Sequence, residues 1–253
     1  MRLDDVSSKL VNTRLVLLGA RSLRLSAYSS VINGLGLIPA AIVLFNESKQ
    51  HVPRHYPEPS NISWSPLPGW LRKDWGRELE ILLSKTTESH FLSEGLDSSK
   101  LSQAVQGAEP DYIIYAGAAG NIVPSEILDI APVIHVHPGS LPAFRGSTTI
   151  YWALLQGMNP KCTVMFLNEF IDQGLIIHEK VCPLPTPLSE IDGFYDSGVR
   201  AEALQEVLVM LANGKLRLKE QSSLGKDYYV IHPVLKNVVL SQLREGSLKI
   251  EDH

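Results

Sequence analysis

The chain has almost no cysteine. Cys162 and Cys182 are the only two in 253 residues, and each sits in an apolar stretch with no CxxC or Cys/His spacing. Neither a disulfide framework nor a cysteine-built zinc site is expected; both thiols read as small buried hydrophobes, and a reducing cytoplasm is the expected location. Long hydrophobic runs are also missing. The longest, Val31 to Phe45, is interrupted by Asn33, Gly34, Gly36 and Pro39 and falls short of the roughly 20 residues that span a bilayer, so no membrane partner is expected. Met1 to Asn12 mixes Arg2, Asp4, Asp5 and Lys9 with no apolar signal core, which gives secretion no support. Positive charge is not in excess: 23 Lys+Arg against 27 Asp+Glu leave a net charge of -4. Such a balance argues against gathering polyanions by bulk electrostatics, and no nucleic-acid partner is expected. Internal repeats and low-complexity segments are absent.

What is present is an ordinary globular composition, 44% hydrophobic and 20% charged, long enough to bury a large core. Arg14 to Gly19 is a short β-type run ending at glycine, Ser26 to Leu35 reads as a helix, and Ile38 to Phe45 as a second strand. Strand, helix, strand opens a parallel sheet through a right-handed crossover, so the first half is expected to be Rossmann-like. Gln50 to Trp75 is rich in proline and tryptophan, carries His51 and His55, and reads as a long irregular loop able to cover a substrate. Helices are expected over Arg77 to Ser84 and Ser98 to Gln106, a strand over Asp111 to Tyr115, a short helix over Pro124 to Leu128 and a strand over Val133 to Val136. A helix over Thr149 to Gln156 and strands over Cys162 to Leu167 and Leu175 to Val181 follow. Asp196 to Leu211 repeats Val199, Ala203, Val207 and Leu211 on one helical face. The expected architecture is α/β with a mostly parallel central sheet: a catalytic domain over 1–212 and a short C-terminal extension over 213–253 packed on it.

Chemistry concentrates in three segments. His135-Val-His137-Pro-Gly-Ser-Leu-Pro-Ala-Phe-Arg145-Gly146 ends a strand in two imidazoles and continues as a loop fixed by prolines and glycines. Alternation along the strand puts both rings on one face, at a strand end, where open α/β sheets bind ligands. The same pairing suits a metal, which requires a third ligand such as Asp172; the expectation is no metal. Ala116-Gly-Ala-Ala-Gly120 is a small-residue turn that either lets a ligand approach the backbone or makes a tight connection. Asn168-Glu-Phe-Ile-Asp172-Gln-Gly174 carries a carboxylate immediately before a Gln-Gly turn.

The HPxxLPxxRG-like loop, followed by a strand and an aspartate before glycine, resembles the formyltransferase family that uses 10-formyltetrahydrofolate. His137 and Asp172 match that hallmark, and the likeness runs from about Asp111 to Val181 and more loosely over the Rossmann-like start. The resemblance implies His135, His137 and Asp172 as catalytic residues: the histidines hydrogen-bond the developing oxyanion, and Asp172 orients His137 and helps remove the amine's proton. It implies that the pterin of 10-formyltetrahydrofolate lies between Gly120, Asn121 and Ile122 and the connection carrying Asn168, Glu169 and Ile171. One departure is His135, standing where the family usually has asparagine; an imidazole N–H then replaces an amide N–H as donor.

Among acceptors, Arg145 to Trp152, Tyr195 to Arg200 and Tyr228 to Lys236 look similar to sugar nucleotide N-formyltransferases of the pseudaminic-acid type. An amino sugar nucleotide is the expected small-molecule substrate, with Arg145 pairing with phosphate and Tyr151 and Trp152 stacking on sugar or base. Glycinamide ribonucleotide is an alternative acceptor, as is methionyl-tRNA, which the negative charge and short extension disfavour. A folate or nucleotide-sugar binding module without turnover and a hydrolase of the folate are the remaining alternatives. A homodimer closed by the extension is possible.

Overall fold

The computed structural model describes residues 4–47, 75–117, 120–185, 190–222 and 224–250. The expected loop over Gln50 to Trp75, with His51 and His55, lies outside the described residues except for Trp75, as does the centre of the small-residue turn, residues 118–119.

In chain order the elements are α1 (Asp4–Lys9), β1 (Leu15–Gly19), α2 (Leu23–Gly34), β2 (Ala41–Leu44), α3 (Trp75–Lys85), β3 (Glu88–Phe91), α4 (Ser99–Gly107), β4 (Tyr112–Ala116), α5 (Ser125–Leu128), β5 (Val133–His137), β6 (Arg145–Gly146), α6 (Thr149–Leu155), β7 (Lys161–Phe166), β8 (Ile176–Val181), a π-helical turn Ile191–Tyr195, α7 (Asp196–Ala212), β9 (Asp227–Tyr228) and α8 (Pro233–Glu245). Seven strands form one sheet in the order β3-β2-β1-β4-β5-β7-β8, and β6 pairs with β9 separately. From β3 to β5 every pairing is parallel, while β7 runs antiparallel to both β5 and β8. The mostly parallel α/β sheet expected from the sequence is present, with an antiparallel margin.

Alternation along the strands divides the core. Leu15 and Leu17 of β1 join α1, α2, α3, α7 and α8 on one face, and Val16 and Leu18 join α4 and α5 on the other. Helix α2 begins before the expected Ser26 because the Ser22 hydroxyl caps it, accepting from the Leu25 N–H. Strand β2 starts only at Ala41, since Ile38 is exposed. The two-residue strands β6 and β9, the π-helical turn, β3, α1 and α8 carry no expectation from the sequence. Edge strand β3 (ESHF) is too polar for the hydrophobic-run signal. Helix α1 is short, and α8 buries only Val239 and Leu243. Through those two residues and Ile231 the segment after residue 212 packs on the main core.

Beneath the sheet end carrying the histidines lies a buried charge network. Asp196, at the start of α7, accepts from Arg200 Nε at 2.9 Å and from Arg24 Nη2 at 3.2 Å. Arg200 Nη1 donates to the Val136 carbonyl at 2.6 Å and Arg24 Nη1 to the Gly117 carbonyl at 2.7 Å. One carboxylate thus ties α2, α7, β5 and the turn after β4 together. Burial pushes the Asp196 pKa upward, but Arg200 and then Arg24 outweigh it and hold the carboxyl below its ordinary value.

Two outcomes follow for stability. Truncating Leu204, fully buried on α7, to alanine is expected to cost about 2–5 kcal/mol in denaturant unfolding. Asp196→Asn leaves two buried guanidiniums without a counter-charge and is expected to cost about 3–5 kcal/mol at neutral pH. Because the folded pKa of Asp196 is depressed, its contribution is complete above about pH 4, the unfolded value, and is lost as pH falls through the folded value. The gap between Asp196→Asn and the parent should therefore narrow only in acid, and unfolding curves across pH measure it.

Candidate active site

Strand β5 sits between β4 and β7, and its residues alternate between faces. Ile134 and Val136 point into the α2–α7 core, which leaves His135 and His137 on the opposite face with Val133. His137 is only 2% exposed. Its Nε2 lies 2.6 Å from the Phe144 carbonyl, and since a carbonyl oxygen only accepts, Nε2 carries a proton. Its Nδ1 lies 3.4 Å from Asp172 Oδ1. The loop that brings Phe144 back is held by side chains: Thr149 Oγ1 donates to the Pro138 carbonyl and Thr163 Oγ1 to the Gly139 carbonyl, each at 2.6 Å. Glycine is required at 139, where a Cβ would stand 2.7 Å from the Phe144 oxygen and 2.8 Å from His137 Nε2, inside the hydrogen bond itself.

Asp172 arrives from an unexpected direction. Because β7 is antiparallel to β5, with Phe166 opposite Ile134, the β7–β8 connection starts level with the beginning of β5. It folds back to reach His137 near the strand's end. Asp172 itself adopts left-handed backbone, φ 52°, which a non-glycine residue takes at a cost of about 1 kcal/mol or more and which is concentrated at functional sites. Three contacts hold it. Gly146 N–H donates to Asp172 Oδ2 at 2.7 Å, and Gln221 Nε2 donates to the carbonyls of Asp172 and Gly174, each at 2.9 Å. A Cβ at Gly174 would collide with the Phe166 carbonyl, so the return is possible only with glycine there.

His135 is partly exposed, tilted against the Tyr115 ring at 5.9 Å between centroids. Its Nδ1 is buried and finds no hydrogen-bond partner among the described residues. One donor atom each from His135, His137 and Asp172 lie within 4.8 Å of one another. Burial, then the charges of Arg200, His137 and Arg24, holds the His135 pKa well below the ordinary imidazole value. Burial also lowers that of His137, outweighing the opposing pull of Asp172 and the Phe144 carbonyl. Both rings are therefore neutral at pH 7. A neutral His137 has its single proton on Nε2 and turns the Nδ1 lone pair toward Asp172. The site offers a proton-accepting pair, Nδ1 with the carboxylate, beside a second neutral imidazole.

The other residues singled out by the sequence fall into two groups. Gly120, Asn121 and Ile122, after β4, are exposed, as are Asn168, Glu169 and Ile171 on the β7–β8 connection; Ile122 and Ile171 leave more than half their surface open, 62% and 57%. Arg145, Tyr151 and Trp152 instead meet the C-terminal extension. Arg145 is buried, with Nη2 donating to Gln221 Oε1 and the Ser222 carbonyl, and its Nε has no partner among the described residues. Tyr151 is buried under Lys236. Trp152 packs on Tyr228 and donates to the Tyr229 carbonyl. Sequence reasoning missed Gln221, a lone polar residue in an irregular stretch, and Arg24. Asp196 and Arg200 carried a usable signal, opposite charges four apart at the start of an apolar-faced helix. The two cysteines are free and buried, as expected.

Residues 75–203, just over half of the chain, match the family model described as Formyl transferase. A methionyl-tRNA formyltransferase from Campylobacter lari is 36% identical over 96 residues, 37% of this chain and 31% of that protein; the chain thus spans about a third of the curated relatives it matches. In structure it is similar to a sugar N-formyltransferase from Shewanella sp., with TM-score 0.56, 15% identity and coverage of 90% of this chain and 86% of that one. A glycinamide ribonucleotide transformylase from Symbiobacterium toebii superposes with TM-score 0.55 at 16% identity over 83% of this chain and 95% of its own. At such identities the likeness carries the fold alone. The family match and the fold agree with the motif through which the site was found, and the chain belongs to the formyl transferase family.

Proposed function

We propose that the chain transfers a formyl group from 10-formyltetrahydrofolate to the amine of a nucleotide-linked amino sugar in the cytoplasm. The observation that carries this reading is the buried His137 whose Nδ1 lone pair faces Asp172, next to a second neutral imidazole at the same strand end. Formyl transfer needs both of these. The neutral amine attacks the formyl carbon, an N–C bond forms, and the carbonyl oxygen gains negative charge. His135 supplies the ring N–H toward that oxygen, because the single N–H of neutral His137 is committed to Phe144; a well-aimed donor of this kind is worth about 3–4 kcal/mol. The proton shed by the attacking nitrogen passes to the His137–Asp172 pair. The bond to the folate nitrogen then breaks as that nitrogen takes the proton back from the His137–Asp172 pair, the carbonyl re-forms, and the pair returns to its starting state. Folate binds against the exposed Gly120, Asn121 and Ile122 and the Asn168, Glu169 and Ile171 connection, where open apolar side chains suit a flat heterocycle.

An amino sugar nucleotide is favoured as acceptor by the resemblance of the Arg145 to Trp152 run to sugar nucleotide N-formyltransferases. The net charge of -4 weighs against a polyanionic acceptor such as tRNA. Within this reading Arg145, Tyr151 and Trp152 act on the acceptor side by fixing the extension that flanks it.

The test incubates the protein with 10-formyltetrahydrofolate and, separately, amino sugar nucleotides, glycinamide ribonucleotide, methionyl-tRNA and buffer. Mass gain of one formyl group on a sugar nucleotide is the expected result. Gain on another acceptor would reassign the substrate, and folate release without any acceptor would make the protein a hydrolase. With the active acceptor, Asp172→Asn is expected to lower kcat by about 10²–10⁴-fold, the range for loss of a proton-transfer group. Gln221→Leu, which frees the Asp172 backbone, should lower kcat while leaving KM for folate nearly unchanged; a change in KM alone would remove Gln221 from its positioning role.

A further inference from the structure

Tyr115 stands on β4 beside His135 on β5. Parallel pairing of Ile113 with Val133 and of Ile114 with Ile134 carries Tyr115 level with His135, on the same face of the sheet. Their ring centroids are 5.9 Å apart and the planes are tilted by 44°. Each ring holds a buried polar atom with no partner among the described residues, Tyr115 Oη and His135 Nδ1. Buried polar atoms are nearly always hydrogen-bonded, and two orphans on adjacent rings at one strand end need an account. Glycine at 117 makes the room that the phenol occupies, since a Cβ there would fall on its Oη and Cζ. Asn121 approaches Oη without hydrogen-bond geometry. Burial pushes the phenol pKa up to about 12, against the pull of Arg24 and of Asn121, so the O–H is intact at neutral pH and is a donor.

We propose that the Tyr115 hydroxyl donates to His135 Nδ1 and so holds His135 in the tautomer that carries its proton on Nε2. A phenol hydrogen turns freely about its C–O bond, and at this ring separation a modest turn of either ring closes an O–H···N bond. Such a turn costs less than leaving two buried polar atoms unpaired. Once Nδ1 accepts, the single proton of a neutral imidazole sits on Nε2. Nδ1 is the buried nitrogen of a partly exposed ring, so the N–H is left for the open side. The two histidines of the strand end then take opposite duties. His137 gives its Nε2 proton to the Phe144 carbonyl at 2.6 Å and presents a bare Nδ1, whereas His135 is covered at Nδ1 and presents Nε2–H. Tyr115 is thus a positioning residue that acts through His135. The inference deepens the formyl-transfer reading and rests on it for the effect on rate, because the donor which that reading asks of His135 is an N–H on the open nitrogen.

The experiment records ¹H–¹⁵N spectra of the imidazoles in the ¹⁵N-histidine-labelled chain at neutral pH, with His135 assigned by the signals that His135→Asn removes. In the parent, His135 should be protonated on Nε2, with Nδ1 shifted from the position of a free lone pair by the bond it accepts. Tyr115→Phe removes one oxygen and keeps the ring. In that variant the Nδ1 signal should move toward the free lone-pair position, or the proton should divide between the two nitrogens, while circular dichroism stays that of the parent. With the active acceptor, Tyr115→Phe is expected to lower kcat by about 10–100-fold and to leave KM for folate nearly unchanged. A parent His135 protonated on Nδ1 overturns the proposal with no variant needed, and so do His135 signals that Tyr115→Phe leaves unchanged. Moved signals with an unaltered kcat would leave the hydrogen bond standing and overturn the oxyanion role given to His135. A chain that formylates nothing would overturn only the functional reading, since the tautomer is measured without turnover.

Discussion

The site depends on one carboxylate. Asp196 separates two guanidiniums that would otherwise repel one another in a buried space, and each guanidinium spends a remaining N–H on a backbone carbonyl at the edge of the site. The carbonyl held by Arg200 belongs to Val136, the residue between the two histidines; the one held by Arg24 belongs to Gly117, at the entrance to the small-residue turn. A buried ion cluster is a poor source of net stability, so its effect is better read in what it fixes. It sets the distance between β4 and β5 at the end where ligands of open sheets bind, and it leaves one positive charge beyond what Asp196 neutralises. That charge adds to burial in keeping His135 neutral.

The second dependence runs through the C-terminal extension. β9 pairs with β6 at Arg145 and Gly146, and the same Gly146 donates to Asp172. Gly146 has φ 93°, and a Cβ there would collide with the Tyr228 carbonyl, so the pairing admits only glycine. Gln221 completes the connection by holding the Asp172 backbone and receiving Arg145. The segment after residue 212 is therefore part of what positions the acid group, through backbone and amide contacts that leave no periodic trace in the sequence.

How far the sequence could be read follows from these interactions. Strands β1 and β2 are apolar runs buried on both faces, and such runs announce themselves. The His137 and Asp172 pair was legible because its residue types and spacing match a family motif. Edge strand β3 was not, since half-exposed Glu88 and His90 carry no hydrophobic pattern. The antiparallel entry of β7 was not, since a single strand's composition says nothing of its direction. The aromatic run at Tyr151 and Trp152 suggests stacking on a ligand, yet the structure seats both rings against residues more than seventy positions later. Periodicity and propensity report local burial, and neither reports which distant segment does the covering.

The character of the site turns on whether a proton lies between His137 Nδ1 and Asp172, 3.4 Å apart. Protonating Nδ1 would create an imidazolium in a buried position near Arg200, and burial already outweighs the pull of Asp172. A resting proton is thus disfavoured, which suits the proposed role of a pair that takes one from the attacking amine. Asp172 lowers the cost of that proton without abolishing it, so the pair rests unprotonated while its carboxylate stays within reach of Nδ1.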